Sequence, residues 1–233
     1  MDYIRLAGER GQANFGWLDS KHSFSFGSYY DPRHMGFSVL RVINDDTVSP
    51  GAGFSPHGHQ DMEIISYVLE GNIEHKDSTG NHYVIPAGEV QRMSAGTGIT
   101  HSEYNPSETD SLKFLQIWLL PNVQGILPSY EQASIRQTGK LTALVTPDGQ
   151  DGSLHIHQDA AIYRLVLEPG EEYQLETGSR FGYLHVINGA AITDRLTVKA
   201  GDAFGLKSDR QQHLRAGDQG VEALWFDLPA KAS

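Results

Sequence analysis

Tyr67–Ile73 reads YVLEGNI, followed by Pro86–Val90 (PAGEV) and by His101; the pattern returns loosely as His185–Ala191 (HVINGAA), Lys199–Phe204 (KAGDAF) and His213. In each copy a strand ends on Gly, a hairpin follows, a second turn opens on Gly, and another strand closes the unit. A supersecondary unit that appears twice implies two β-barrels of related design in one chain. The stretch Pro121–Lys140 holds Pro, Gly, Ser and Gln, as a connector should. The expected division is therefore an N-terminal barrel over 1–125 and a C-terminal barrel over 126–233.

The rest of the chain agrees with an all-β, antiparallel architecture. Twenty-five Gly and ten Pro among 233 residues leave only strand-sized runs between them. Phe37–Ile43, Glu63–Leu69, Leu112–Leu119, Ile162–Leu167 and Ala223–Leu228 are rich in β-branched, aromatic and leucine side chains and are bounded by turn residues. Asn72–Ile85 reads as a hairpin turning at Ser78–Asn81. No long segment keeps a helical period; short helices are expected only near Asp61 and Pro128–Gln132.

Composition removes several chemistries. The chain has no cysteine, so disulfides, thiolate nucleophiles, Fe–S clusters and zinc fingers are excluded. Eighteen Lys and Arg against 29 Asp and Glu give a net charge of −11, which repels phosphate backbones and anionic lipid. No direct nucleic-acid or membrane partner is expected. Met1–Arg10 carries charges throughout and no apolar run approaches 18 residues, so the expected location is cytoplasmic. Any metal site must draw on carboxylates, backbone oxygens and the 11 His.

Two segments meet that requirement. In His57-Gly58-His59 the imidazoles stand two residues apart, which on a strand puts them on one face with Cα atoms about 6.5–7 Å apart. His101-Ser102-Glu103 repeats the same period. If the two strands lie side by side, four N and O ligands converge on one ion. Glu63 is in phase with the first pair only if no bulge intervenes, since a one-residue slip turns a side chain to the other face. His155-Ile156-His157 has the same spacing but no H-x-E partner. Alignment of Gly189 with Gly71 puts Leu175 and Thr177 where His57 and His59 stand, and His213 stands alone. The second barrel is expected to lack metal ligands.

The glycine spacing around these pairs resembles the two motifs of the cupin superfamily, small β-barrels with a metal held inside. More narrowly, His57–Glu63 (HGHQDME), Arg92–Asn105 (RMSAGTGITHSEYN), Gly16–Asp31 and Phe37–Asp46 resemble the pirin family, and the likeness runs along essentially the whole chain. That resemblance implies a bicupin of two antiparallel barrels. It makes His57, His59, His101 and Glu103 the metal ligands. The ion implied is one divalent transition metal, iron foremost, with Zn, Mn, Co, Ni and Cu also compatible with N and O donors.

The resemblance also implies a metal-dependent dioxygenase that opens the central ring of flavonols such as quercetin with O2 and releases carbon monoxide. Glu103 is the candidate general base, and Glu63 could share that role if it reaches the pocket. Phe24, Phe26, Tyr29 and Phe37 are candidate apolar walls for a planar phenol. Gln116, between Phe114 and Trp118 on one strand face, needs a partner if buried. The alternative is a redox- or metal-responsive regulatory protein with a protein partner; a sugar-binding or isomerase-type cupin ranks third. Two barrels that cover each other's apolar faces make a monomer the expected state.

Overall fold

The computed structural model describes residues 1–231. Three sheets, antiparallel except where Leu154–His155 runs parallel to Leu141–Thr146, carry nearly all of the chain. The first has seven strands, in the spatial order Ser129–Ser134, Glu89–Ser94, Glu63–Glu70, Leu112–Leu119, Leu40–Val48, Leu18–His22 and Gly11–Asn14. Facing it is a four-stranded sheet in the order Gly53–His59, Ile99–Tyr104, Asn72–Asp77 and His82–Pro86. The second half is built on one nine-stranded sheet around the long strands Phe181–Ile192 and Gln211–Leu228. The fold is the expected pair of all-β units, with the sheets of the first stacked face to face rather than closed into a cylinder.

The repeat glycines explain why the pattern survives in both halves. Gly71 and Gly189 both have positive φ, +75° and +71°. A Cβ on Gly71 would lie 2.9 Å from the Ser111 carbonyl oxygen, and one on Gly189 only 2.1 Å from that of Gly220. Gly71 follows the end of Glu63–Glu70, whereas Gly189 sits inside Phe181–Ile192 at a shift of its register; at both the chain passes so close to neighbouring backbone that only glycine fits.

The seven-stranded sheet is buried on both faces. Ile43, Ile65, Tyr67, Leu115 and Ile117 point toward the second half and join Ile162, Tyr183, Leu224 and Phe226 in one core. The alternate residues of the same strands point into the first half. Each half also lends the other an edge strand: Tyr3–Arg5 pairs with Ala203–Gly205, and Ser129–Ser134 pairs with Glu89–Ser94.

Two local expectations are corrected. The segment around Pro128–Gln132 is not helical, because Ser129–Ser134 completes the sheet by pairing with Glu89–Ser94. Near Asp61 the chain makes a tight turn, with Asp61 at φ +46° and its N–H donating to the Gly96 carbonyl. The Asn72–Ile85 hairpin forms as expected, its turn fastened by backbone N–H groups of Thr79 and Asn81 that donate to Asp77.

Candidate metal centre

His57 and His59 lie on Gly53–His59, the edge strand of the four-stranded sheet, and His101 lies on its neighbour directly opposite His57. The pairing then shifts: Glu103 is opposite Phe54, so Gly53–His59 carries one extra residue between those two positions. Pro56 falls inside this bulge, where an edge strand tolerates a residue without an N–H. The bulge turns Phe54 and His57 to the same side although they are three residues apart.

The three rings converge. Centroids of His57 and His59 are 4.8 Å apart, those of His57 and His101 4.5 Å, and those of His59 and His101 4.9 Å. His57 Nδ1–H donates to the Ser55 carbonyl at 2.7 Å, which leaves Nε2 with its lone pair free. Burial, with help from the neighbouring imidazoles, pulls His59 down to about 4 and His101 to about 3. Both rings are therefore neutral at pH 7 and able to bind a cation. Their Nε2 atoms lie 3.1 Å apart, a separation that two neutral rings hold only by sharing a proton or a cation.

Glu103 belongs to a second set that shares His101 with the first: ligand atoms of His75, His101 and Glu103 lie within 4.8 Å of one another. Its carboxylate is fixed from the facing sheet. Oε1 accepts from Ser66 Oγ at 3.1 Å and from Gln91 Nε2 at 2.7 Å, and Oε2 accepts from Gln116 Nε2 at 2.7 Å. These donors belong to a single row across the seven-stranded sheet, where His22 pairs with Asn44, Asn44 with Gln116, Gln116 with Ser66, and Ser66 with Gln91. Gln116 thus finds its partner in a carboxylate rather than in apolar packing.

Glu63 is not brought to this cluster, which corrects the shared catalytic role expected for it. Ser66, three residues further along the same strand, faces Glu103; Glu63 therefore faces the other side of the sheet. There it accepts from Ser94 Oγ at 2.8 Å and lies 3.4 Å from His157 Nδ1, between the two halves. Burial raises its pKa, partly offset by the Ser94 hydroxyl and Arg92.

The other histidine motif lies apart from the imidazole cluster. His155 and His157 stack edge to face with centroids 4.5 Å apart, and His213 lies exposed beside Glu172. Leu175 is buried in the core of the second half, and the Thr177 hydroxyl donates to the Lys207 carbonyl. Among the described residues, both groups able to hold a metal lie in the first half.

A cavity of about 280 Å³ opens onto the imidazoles. Phe26, Phe54 and Trp118 form apolar walls, with Trp118 edge-on to His59 at 5.0 Å and to Phe26 at 5.3 Å. Of the aromatic residues expected as walls, only Phe26 lines it. Phe24 and Phe37 are buried in the core between the halves, and Tyr29 stacks on His22 and accepts from Arg5.

Sequence reasoning missed His75, Ser66, Gln91 and the Ser20–His22 and Asn44–Asp46 pairs. His75 was within reach: it sits two residues before Asp77, in phase on the recognised hairpin. Its Nε2–H donates to Asp77 at 2.9 Å. Burial raises the Asp77 carboxyl, but this bond and the donors from Thr79 and Asn81 outweigh it and hold it well below its ordinary value. The Nδ1 atoms of His75 and His101 are both buried without a partner. Three convergent imidazoles and one oriented carboxylate, with no thiolate, suit a divalent transition metal.

Comparisons with known proteins fit this geometry. A family model described as Pirin matches residues 4–119, and one described as a quercetinase C-terminal cupin domain matches residues 143–228. The chain is 48% identical over 231 residues to a quercetin 2,3-dioxygenase of Escherichia coli strain K12, which covers 98% of this chain and 99% of the relative. Its structure is similar to the crystal structure of YhhW from Escherichia coli, with a TM-score of 0.94, 47% identity and 97% of each chain covered. A structure of the bacterial pirin YhhW with nickel(II) gives 0.93 at 47% identity, covering 97% of this chain and 98% of that one.

Proposed function

The chain belongs to the pirin family, and from that premise we propose that it is a metal-dependent dioxygenase that cleaves the central ring of flavonols such as quercetin with O2 and releases carbon monoxide. The observation that carries the reading is the convergence of three imidazoles beside an apolar cavity, with the pinned Glu103 carboxylate grouped with one of them, His101. The relative at 48% identity bears the name of that activity, and the nickel(II) complex of a bacterial pirin supports a divalent ion at such a site. Iron is the ion proposed here.

His57, His59, His101 and Glu103 are proposed to hold the ion. When bound, it supplies Lewis acidity that favours the deprotonated 3-hydroxyl of a flavonol, together with the electron traffic that dioxygen chemistry needs. The chain's own residues do the rest. Phe26, Phe54 and Trp118 exclude water and flank a planar ring. Glu103 takes the hydroxyl proton at Oε2, which carries one donor where Oε1 carries two and so keeps acceptor capacity. Gln116 and Gln91 keep that carboxylate from turning as the proton arrives.

The chain is further proposed to work as a monomer of two units, 1–125 and 126–233, in the cytoplasm. The shared core between the halves supports the first point, because it covers the apolar sheet faces that would otherwise seek a partner. The described residues include no helix long and apolar enough to cross a membrane. The decisive experiment is metal analysis followed by incubation with quercetin in air, with flavonol absorbance and carbon monoxide monitored. No turnover with Fe, Mn, Co, Ni or Cu fully loaded would sink the enzyme and leave the regulatory reading.

A further inference from the structure

The cavity wall opposite the imidazoles is built differently from the rest. Leu18–His22 and Leu40–Val48 are neighbours in the seven-stranded sheet, and their inward positions pair Ser20 with Asp46 and His22 with Asn44. All four line the cavity and all are buried. Ser20 Oγ–H donates to Asp46 Oδ1, and His22 Nδ1–H donates to Asn44 Oδ1 at 2.7 Å. That bond leaves His22 Nε2 as an acceptor, since burial lowers the ring's pKa and keeps it neutral. Among the described residues, His22 Nε2, Asn44 Nδ2 and Asp46 Oδ2 have no protein hydrogen-bond partner. None is among the atoms sealed from solvent without a partner, so all three reach the cavity.

Such groups are costly to bury without a ligand or water to meet them. A wall with only a packing role would carry Leu, Val and Phe, and the second half fills its interior with such residues. Here an acceptor, an amide donor and a carboxyl converge beside Phe26 and Leu18. Burial pushes Asp46 up to about 7, so its carboxyl is available as a donor as well as an acceptor near neutrality. This combination suits phenolic hydroxyls, each of which donates one hydrogen bond and accepts others.

We infer that Ser20, His22, Asn44 and Asp46 form a second recognition subsite that reads hydroxyl groups of a phenolic substrate beyond the one facing the imidazoles. The chain would then favour polyhydroxylated flavonols over singly hydroxylated ones. The inference rests on the flavonol reading above and names the specificity of that same cavity. A site built to hydrogen-bond a hydroxyl rejects the analogue that lacks it, because its own polar atoms are left unpaired.

The test uses metal-loaded protein held without oxygen, so that binding is read without turnover. Quercetin and 3-hydroxyflavone, which keeps only the 3-hydroxyl, are titrated while the tryptophan fluorescence is followed. The wild type should bind quercetin at least about tenfold more tightly. Asn44→Leu should weaken quercetin binding about tenfold and 3-hydroxyflavone binding by less than about twofold, with metal content unchanged. Ser20→Ala, which removes a single hydroxyl, should act in the same direction and serves if Asn44→Leu fails to fold. Equal losses for both ligands, or an unchanged preference in both variants, overturn the subsite alone. If neither flavonol binds the wild type, the flavonol reading falls and the subsite falls with it.

Discussion

The two halves share a chain pattern and differ in what they turn inward. In the second, Leu165, Leu175, Leu184, Val186, Phe204 and Trp225 fill the interior as an ordinary apolar core. In the first, the seven-stranded sheet presents the polar row from His22 to Gln91, and the facing sheet presents imidazoles. Polar side chains that bond one another across a gap leave space that leucines would occupy, and the cavity is that space. A metal centre of this kind therefore needs more than ligands: it needs a second layer that holds the carboxylate and keeps the interior open.

The sharpest way to break this contrast is to remove a proposed ligand from one half and a histidine of the other H-x-H segment from the second. His101→Ala should abolish stoichiometric metal binding, exceeding the roughly 10–100-fold loss typical of outer partners. His155→Ala should leave metal content as it was; elemental analysis of both variants decides, and the reverse result overturns the site assignment. Next, the double variant Leu175→His, Thr177→His places the H-x-H spacing in the second half. It should gain no metal and lose about 2–5 kcal/mol of stability in denaturant unfolding, since it puts imidazoles into a filled core. A second equivalent of tightly bound metal would show that ligands alone suffice.

Acid and base should act through His185 and Asp46 with opposite signs. Burial holds His185, in the second half, down at about 4 against an ordinary 6.5. As pH falls below 6.5 the unfolded chain takes up this proton and the folded chain does not. Stability from this residue is thus complete above 6.5 and lost progressively toward 4. Asp46, in the first half, is raised from 3.8 to about 7. The folded chain holds the extra proton there, so its contribution is complete below 3.8 and lost as pH rises through 7. Melting temperature against pH should show His185→Leu flattening the acid limb and Asp46→Asn flattening the limb toward neutrality.

The smallest effect belongs to Glu63. Glu63→Gln keeps the shape between the halves and should change quercetin turnover by less than about twofold, because this side chain faces away from the cavity. A fall in kcat of an order of magnitude or more would return it to the catalytic machinery.

Much of the site was legible in residue order. H-x-H and H-x-E each put two donors on one strand face whatever the rest of the chain does, because side-chain alternation is local. Gly71 and Gly189 announced the repeat because a positive φ at a close backbone approach admits little else. The face of Glu63 was not legible: it depends on the geometry of the turn at Gln60–Met62, where Asp61 is left-handed. Nor was the Ser129–Ser134 strand, whose polar sequence carries no strand signal until Glu89–Ser94 lies beside it.

By itself, then, the sequence determined the all-β class, the two related units and the two strand segments whose imidazoles converge, since each rests on spacing within a few residues. Only the tertiary structure decided where Glu63 points and what surrounds Glu103. His22, Asn44, Ser66, Gln91 and Gln116 lie far apart along the chain and meet only through the register of five strands. Register is a property of pairing between distant segments, so the polar row, the orientation of Glu103 and the open cavity beside it exist only once the sheets have formed.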